Sequence, residues 1–174
     1  MGCGLMGSGI AEVCARAGLD VLVREVTPEA AEAGRQRLVK SLDRGVSAGK
    51  LDEASRDAAL AKLAFTTDLA DFGDRQLVVE AAIEDEASKV AIFEQLDKVV
   101  TADDAILASN TSSIPIMKLG TVTGRPEQVL GIHFFNPVPV LKLVELVTSL
   151  MTSDTTRERA ETFATDQLAK RVIR

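Results

Sequence analysis

An α/β fold with a doubly wound, mostly parallel sheet is predicted by three features of this 174-residue chain. Apolar runs of strand length alternate with longer stretches whose apolar residues recur at helical spacing. Two of the runs, LVVEAA at Leu77 to Ala82 and AILAS at Ala105 to Ser109, are apolar enough for strands buried on both faces, as parallel sheets require. The chain also opens on a glycine-rich turn, GCGLMGSG, that feeds directly into a helical pattern.

The elements follow in order. Ile10, Val13, Cys14 and Ala17 recur at helical spacing, and Gly18 supplies the stop. Asp20 to Arg24 reads as a short strand. Thr27 and Pro28 make a helix start, Thr as N-cap and Pro at the first helical position, and that helix runs to about Val46. A second helix covers Asp52 to Lys62. Strands are expected at Ala64 to Thr67 and Leu77 to Ala82, then an amphipathic helix over Glu86 to Val100 with Val90, Phe93, Leu96 and Val100 inward. The AILAS strand leads into the polar turn Asn110 to Ser113. Val129 to Phe135 and Lys142 to Val147 form a strand pair about a turn at Asn136-Pro137. A last helix, capped by Asp154 or Thr155, reaches Lys170, and Val172 begins another strand.

Gly2, Gly4 and Gly7 form a G-x-G-x-x-G run, and Glu25 stands 18 residues after Gly7, at the end of the next strand. Glycines there allow a tight turn and close approach of backbone to a pyrophosphate, whose charge sits on the helix N-terminus, while the acid takes ribose hydroxyls. This is the physics of dinucleotide binding. The fingerprint normally follows a strand, and only Met1 precedes it here. The expectation is therefore a doubly wound sheet that lacks its first, central strand, in a chain truncated from a longer protein.

Composition narrows the class. The net charge of −6 argues against general nucleic-acid binding, and Cys3 and Cys14 have neither metal-ligand spacing nor a disulfide framework. No apolar run is long enough for a membrane span. Arg35, Arg37, Lys40, Arg44 and Lys50 form a basic stretch opposed by one acid, Asp43. Such a stretch is either a solvated helix face or a site that concentrates anions.

His133 is the only histidine and opens the run HFFNPVPVLKLVE, which closes on Glu145 twelve residues later. A strand, a turn and a returning strand bring the two together. An imidazole can exchange a proton near neutral pH, and a carboxylate fixes its tautomer and stabilises its charged form. Glu84 and the SNTSS turn follow predicted strands and His133 with Asn136 ends the next, at the sheet edge where open α/β folds bind ligands.

These motifs, GCGLMGSGIAEVCARAG, VVEAAIEDEASKVAIF, ILASNTSSIPI and GIHFFNPVPVLKLVELV, resemble the L-3-hydroxyacyl-CoA dehydrogenases over nearly the whole chain, closest to their bacterial 3-hydroxybutyryl-CoA branch. The resemblance implies a Rossmann-type NAD-binding domain over residues 1–174, without the family's helical C-terminal domain. It implies His133 as catalytic base, Glu145 as its charged partner, Ser112 on the substrate 3-hydroxyl, and Asn136 holding the reacting groups. For NAD it implies Gly2, Gly4, Leu5, Met6, Gly7, Glu25, Ala82, Glu84, Lys89, Asn110, Ser112 and Asn136. For coenzyme A it implies Ser41, with Lys50 replacing a lysine that many relatives carry where this chain has Ala48. Glu25 stands where the family usually has Asp, which still favours NAD over a 2′-phosphorylated cofactor.

The implied activity is reversible NAD-dependent oxidation of an L-3-hydroxyacyl-CoA in cytoplasmic fatty-acid (β-oxidation) or butanoate metabolism, by an enzyme that dimerises through its helical domain. No metal is expected. Two other readings are an inactive nucleotide-binding fragment and a sugar-acid dehydrogenase of the same superfamily. HFFNP together with SNTSS disfavours the second.

Overall fold

The glycine turn organises the N-terminal end of the molecule. The computed structural model describes residues 1–174. Gly2 adopts φ +82°, and a Cβ there would lie 2.8 Å from the Ala81 carbonyl oxygen. A Cβ on Gly7 would lie 2.0 Å from the Gly2 carbonyl oxygen, so no side chain fits. Helix α1 (Leu5–Arg16) starts from this turn and stops before Gly18, whose φ of +83° suits glycine.

The strands lie in two sheets. Strands β1 (Val21–Arg24) and β2 (Leu63–Thr66) pair in parallel. Strands β3 (Leu77–Glu80), β4 (Ile106–Ser109) and β5 (Val129–Phe134) are parallel to each other. Strand β6 (Leu143–Val147) runs antiparallel to β5, and β7 (Arg171–Ile173) is parallel to β6. Two residues bridge the sheets: the Met1 nitrogen donates to the Val79 carbonyl and the Ala81 N–H donates to the Met1 carbonyl, while the Gly2 N–H donates to the Arg24 carbonyl. A cavity of about 940 Å³ lies between β1 and β3 beside Met1.

Alternation along the strands divides the core. Ile106 and Ala108 of β4, with Leu130, Ile132 and Phe134 of β5, face Ile10 and Cys14 of α1 and Ala160 of α6 (Asp154–Thr162). Leu107 and Val129 face the other way, onto Phe93 and Leu96 of α4 (Glu86–Val99) and Leu119 of α5 (Ile116–Gly120). Helices α2 (Pro28–Ser47) and α3 (Glu53–Ala61) cover the far side of α1, where Leu38 packs with Cys3 and Val23, and Leu42 with Ala15 and Ala59. Both thiols are buried, which raises Cys3 to about 11 and Cys14 to about 12, so neither is a reactive thiolate at neutral pH. No helix is long and apolar enough to cross a membrane.

Helix starts follow side-chain chemistry. Thr27, Asp52 and Asp85 accept from the N–H groups of Ala30, Ser55 and Ser88. The last helix differs from expectation at both ends. Ser153, not Asp154 or Thr155, is its cap, accepting from Thr156 N–H. Its α-helical part stops at Thr162 and passes into a π-helical turn, Phe163–Gln167. Ala169 then takes φ +51°, so the chain leaves the helix before Lys170. Lys170 turns inward instead: its Nζ donates to the carbonyls of Val138 and Leu141, each at 2.6 Å. Its ammonium is buried with no carboxylate beside it, and burial together with Arg16 lowers its pKa. Helix α5 and the 3₁₀ turns at Leu69–Phe72 and Pro126–Gln128 are too short to show a period in the sequence.

Candidate active site at the strand ends

His133 and Glu145 are directly opposite residues of the antiparallel β5–β6 pair. Cross-strand neighbours on one face are close enough for their side chains to meet, and His133 Nδ1 lies 3.0 Å from Glu145 Oε2. That contact puts the proton on Nδ1 and leaves Nε2 as the acceptor for a substrate proton. The imidazole is 19% exposed and the carboxylate 37%, so the pair is sheltered but reachable. The Phe135 ring packs against the imidazole at 4.6 Å between centroids. The intervening loop holds Asn136 and a cis Asn136–Pro137 peptide bond.

Strand β4 is tied to this pair. Asn110 Oδ1 accepts from the Phe134 N–H at 2.9 Å, fixing the Asn110–Ser113 turn beside the end of β5. Glu84 gathers the same turn from the β3 side. Its Oε1 accepts from the Thr111 hydroxyl, from the Ser113 hydroxyl at 3.2 Å and from the Ser112 N–H at 3.3 Å. Burial raises the Glu84 carboxyl, but the Thr111 hydrogen bond, the Lys89 ammonium and Ser113 outweigh it, so the group sits below its ordinary pKa. Ser112 itself is exposed, its hydroxyl free for a ligand.

Below Glu84 lies a buried ionic cluster that the sequence reading missed. Lys89 Nζ is 2.6 Å from Glu80 Oε1 and 3.4 Å from Glu84 Oε2. Glu80 also accepts from the Ser109 hydroxyl at 2.6 Å and the Ala82 N–H at 2.7 Å. Lys89 and Glu80 are almost wholly enclosed. The Lys89 charge therefore faces Glu80 and Glu84 rather than solvent. The one signal available was a Glu inside an otherwise apolar strand.

The glycine turn supplies an anion cradle. Gly4 caps α1 without any side-chain hydrogen bond, so the first N–H groups of the helix point outward unpaired. A Cβ on Gly4 would meet nothing within 4 Å, so the space above the turn is open to a phosphate. Glu25, just past β1, accepts from the Cys3 N–H, which sets the acid beside the turn. Leu5 is exposed there. These features fit a dinucleotide: open room for pyrophosphate, free donors, and an acid for the ribose.

The basic stretch is smaller than its count suggests. Arg35 pairs with Glu32, and Arg37 donates to the Cys3 carbonyl at 2.5 Å. Lys40, Arg44 and Lys50 carry no ion pair. A shallow concavity on α2 includes Arg35, Lys40, Arg44 and Ser47. Ser41 is half-buried and does not line it, while Lys50 is exposed past the end of α2.

Comparison with known proteins identifies the family of the domain. The profile of the 3-hydroxyacyl-CoA dehydrogenase NAD binding domain matches residues 1–174. A 3-hydroxybutyryl-CoA dehydrogenase of Mycobacterium tuberculosis is 60% identical over 174 residues, covering 100% of this chain and 61% of the relative. A probable 3-hydroxybutyryl-CoA dehydrogenase of Deinococcus radiodurans is 45% identical over 98% of this chain and 60% of its own length. The crystal structure of FadB2 from M. tuberculosis superposes with a TM-score of 0.98 at 61% identity, covering 99% of this chain and 61% of that one. That of (S)-3-hydroxybutyryl-CoA dehydrogenase from Ralstonia eutropha gives 0.95 at 44% identity, covering 99% and 60%. The chain thus spans about three-fifths of the length of the curated relatives it matches.

Proposed function

Because the chain belongs to the NAD-binding domain family of the 3-hydroxyacyl-CoA dehydrogenases, we propose that it forms the cofactor-binding and proton-transfer part of an enzyme that interconverts L-3-hydroxyacyl-CoA, chiefly 3-hydroxybutyryl-CoA, and 3-oxoacyl-CoA. The observation that carries this reading is the His133–Glu145 pair at 3.0 Å, on the same sheet edge as the glycine turn. A carboxylate on Nδ1 is what a general base needs to hold its tautomer and accept a proton on Nε2.

NAD, when bound, supplies the hydride acceptor, which no side chain provides. His133 Nε2 takes the proton from the substrate 3-hydroxyl, and Glu145 stabilises the imidazolium that results. The Ser112 hydroxyl hydrogen-bonds the substrate oxygen whose charge is changing. Glu84 keeps Ser112 in place through the turn, and Asn136 contributes from the loop after β5. Backbone N–H groups of Leu5, Met6 and Gly7 receive the pyrophosphate, and Glu25 the ribose. Contacts of Ala82, Lys89 and Asn110 belong to the same cofactor edge, with Lys89 acting through Glu84. Lys40 and Arg44, with Ser41 and Lys50, favour the phosphates of coenzyme A.

The proposal assigns residues 1–174 to one NAD-binding domain of a cytoplasmic dimer, with the acyl group bound by chain outside this domain. Residues 1–174 alone are then expected to turn over negligibly. Purified full-length protein should reduce NAD with L-3-hydroxybutyryl-CoA and not with free 3-hydroxybutyrate. The opposite preference would replace the proposal with a free hydroxy-acid dehydrogenase.

A further inference from the structure

Two carboxylates and one ammonium meet beneath the site, and they are not shared evenly. Lys89 Nζ lies 2.6 Å from Glu80 Oε1 but 3.4 Å from Glu84 Oε2. The Glu80 side chain is wholly enclosed, whereas that of Glu84 is 43% exposed. Coulombic attraction strengthens as distance and local dielectric fall, so Lys89 belongs to Glu80. The cluster carries one net negative charge, and it rests on Glu84.

Glu84 spends that charge on the turn after β4. Its Oε1 accepts from the Thr111 and Ser113 hydroxyls and from the Ser112 N–H. The Thr111 hydroxyl oxygen also accepts from the Ile114 N–H at 3.0 Å, so one carboxylate oxygen sets the path of the chain through Ser112. Glu80 has no such freedom. Its Oε2 accepts from the Ser109 hydroxyl at 2.6 Å and its Oε1 from the Ala82 N–H at 2.7 Å. A Lys89 that bridged both carboxylates equally would be as well paired, but it would draw Glu84 inward and away from the turn.

We propose that Glu80 is a positioning residue for the reaction: by engaging the Lys89 ammonium, it keeps that charge from pulling Glu84 off the turn that carries Ser112. Without the Glu80 charge, Lys89 has Glu84 as its one carboxylate, and a buried ammonium left unpaired is costly. Glu84 Oε2 then closes on Lys89, and Oε1 leaves the Thr111 and Ser113 hydroxyls. The Ser112 hydroxyl loses its alignment with the substrate oxygen. Glu80 itself touches neither substrate nor cofactor.

The test uses the full-length enzyme and Glu80→Gln, which keeps the shape of Glu80 and its capacity to hydrogen-bond but removes the charge. Its crystal structure should show Lys89 Nζ drawn to about 2.8 Å from Glu84, with the bond from Thr111 to Glu84 broken. Turnover of L-3-hydroxybutyryl-CoA should fall about tenfold to a hundredfold, with KM for the CoA ester little changed, because Ser112 acts on a charge that changes during the reaction. Adding Lys89→Met removes the competing ammonium. The double variant should return Glu84 to Thr111 and recover most of the lost turnover.

A pair that mattered only for folding would lower the urea midpoint and leave kcat alone. Wild-type kcat in Glu80→Gln, a Glu84 that stays on Thr111, or equal turnover in the single and double variants would each overturn the proposal. If Glu80→Gln does not fold, Glu80→Asp draws the charge back by one methylene. It should then show the same movement of Glu84 with a smaller loss of turnover, and an unmoved Glu84 would count against the proposal. The kinetic comparison rests on the reaction proposed above. A wild-type enzyme inactive on the CoA ester would overturn that reaction, while the position of Glu84 in the variants would still decide the role of Glu80.

Discussion

Glu80 and Lys89 form a buried ion pair at 2.6 Å, one at the end of β3 and the other in the first turns of α4. The remaining Glu80 oxygen accepts from Ser109, so the pair fastens three elements beneath the turn that carries Ser112. Breaking such a pair strands a charge in low dielectric, which typically destabilises by about 3–5 kcal/mol, while replacing both members by apolar groups often costs little. Glu80→Ala and Lys89→Met should each lower the unfolding free energy by that amount in urea titrations. Glu80→Leu with Lys89→Met should lose less than the sum of the single changes. Additive losses would mean that the two groups do not act as a pair.

Removal of the proton acceptor tests the dyad. In the full-length enzyme, His133→Gln should reduce kcat by roughly two to four orders of magnitude with NAD affinity nearly unchanged. Glu145→Gln should also reduce kcat, because a neutral partner no longer stabilises the imidazolium. Steady-state kinetics with calorimetric NAD titration separates the two quantities. Wild-type turnover in both variants would make the pair structural.

Two glycines should respond differently to the same change. Gly7→Ala places a methyl 2.0 Å from the Gly2 oxygen, so the turn must distort and both stability and NAD binding should fall. Gly4→Ala meets nothing and keeps an ordinary φ of −66°, so thermal stability should hold. NAD affinity should still drop about tenfold, or about 1.4 kcal/mol, because the methyl enters the space above the helix N-terminus. Calorimetric titration of both variants checks this.

The Met1 ammonium predicts a pH dependence of residues 1–174. Burial lowers its folded pKa to about 6 from an ordinary value of 8.0, partly opposed by the charges of Glu80, Cys3 and Glu25 and reinforced by Arg24. Between those values the unfolded chain binds more protons, so stability should rise from pH 6 to pH 8, by up to about 3 kcal/mol. Below pH 6 the penalty is full. Urea midpoints across that window should rise in the free-amine chain and stay flatter after acetylation.

Sequence alone revealed elements whose signals are local. The Thr27-Pro28 start, the Gly18 stop and the His133–Glu145 hairpin each depend on residues close in the chain, and all lie where spacing placed them. The Glu80–Lys89–Glu84 cluster was not legible, because its members fall on a strand, a loop and a helix whose packing the sequence does not state. The early end of the last helix was hidden for a related reason. Its pattern remains helical to Leu168, and what ends it is a demand from elsewhere, the two carbonyls that Lys170 satisfies. The same holds for the basic stretch, where partners on other elements silence Arg37 but not Lys40 or Arg44.

Lys170 has a mechanical consequence. Its two hydrogen bonds clamp the loop from Val138 to Leu141, which begins immediately after Asn136, while the Arg171 N–H bonds the Lys142 carbonyl and starts the pairing of β7 with β6. The loop and the end of the chain are therefore one lever. A rotation applied at β7 reaches the loop after Asn136 by two routes, the Lys170 ammonium and the β6–β7 ladder, so removing the ammonium would loosen the loop while leaving the ladder in place.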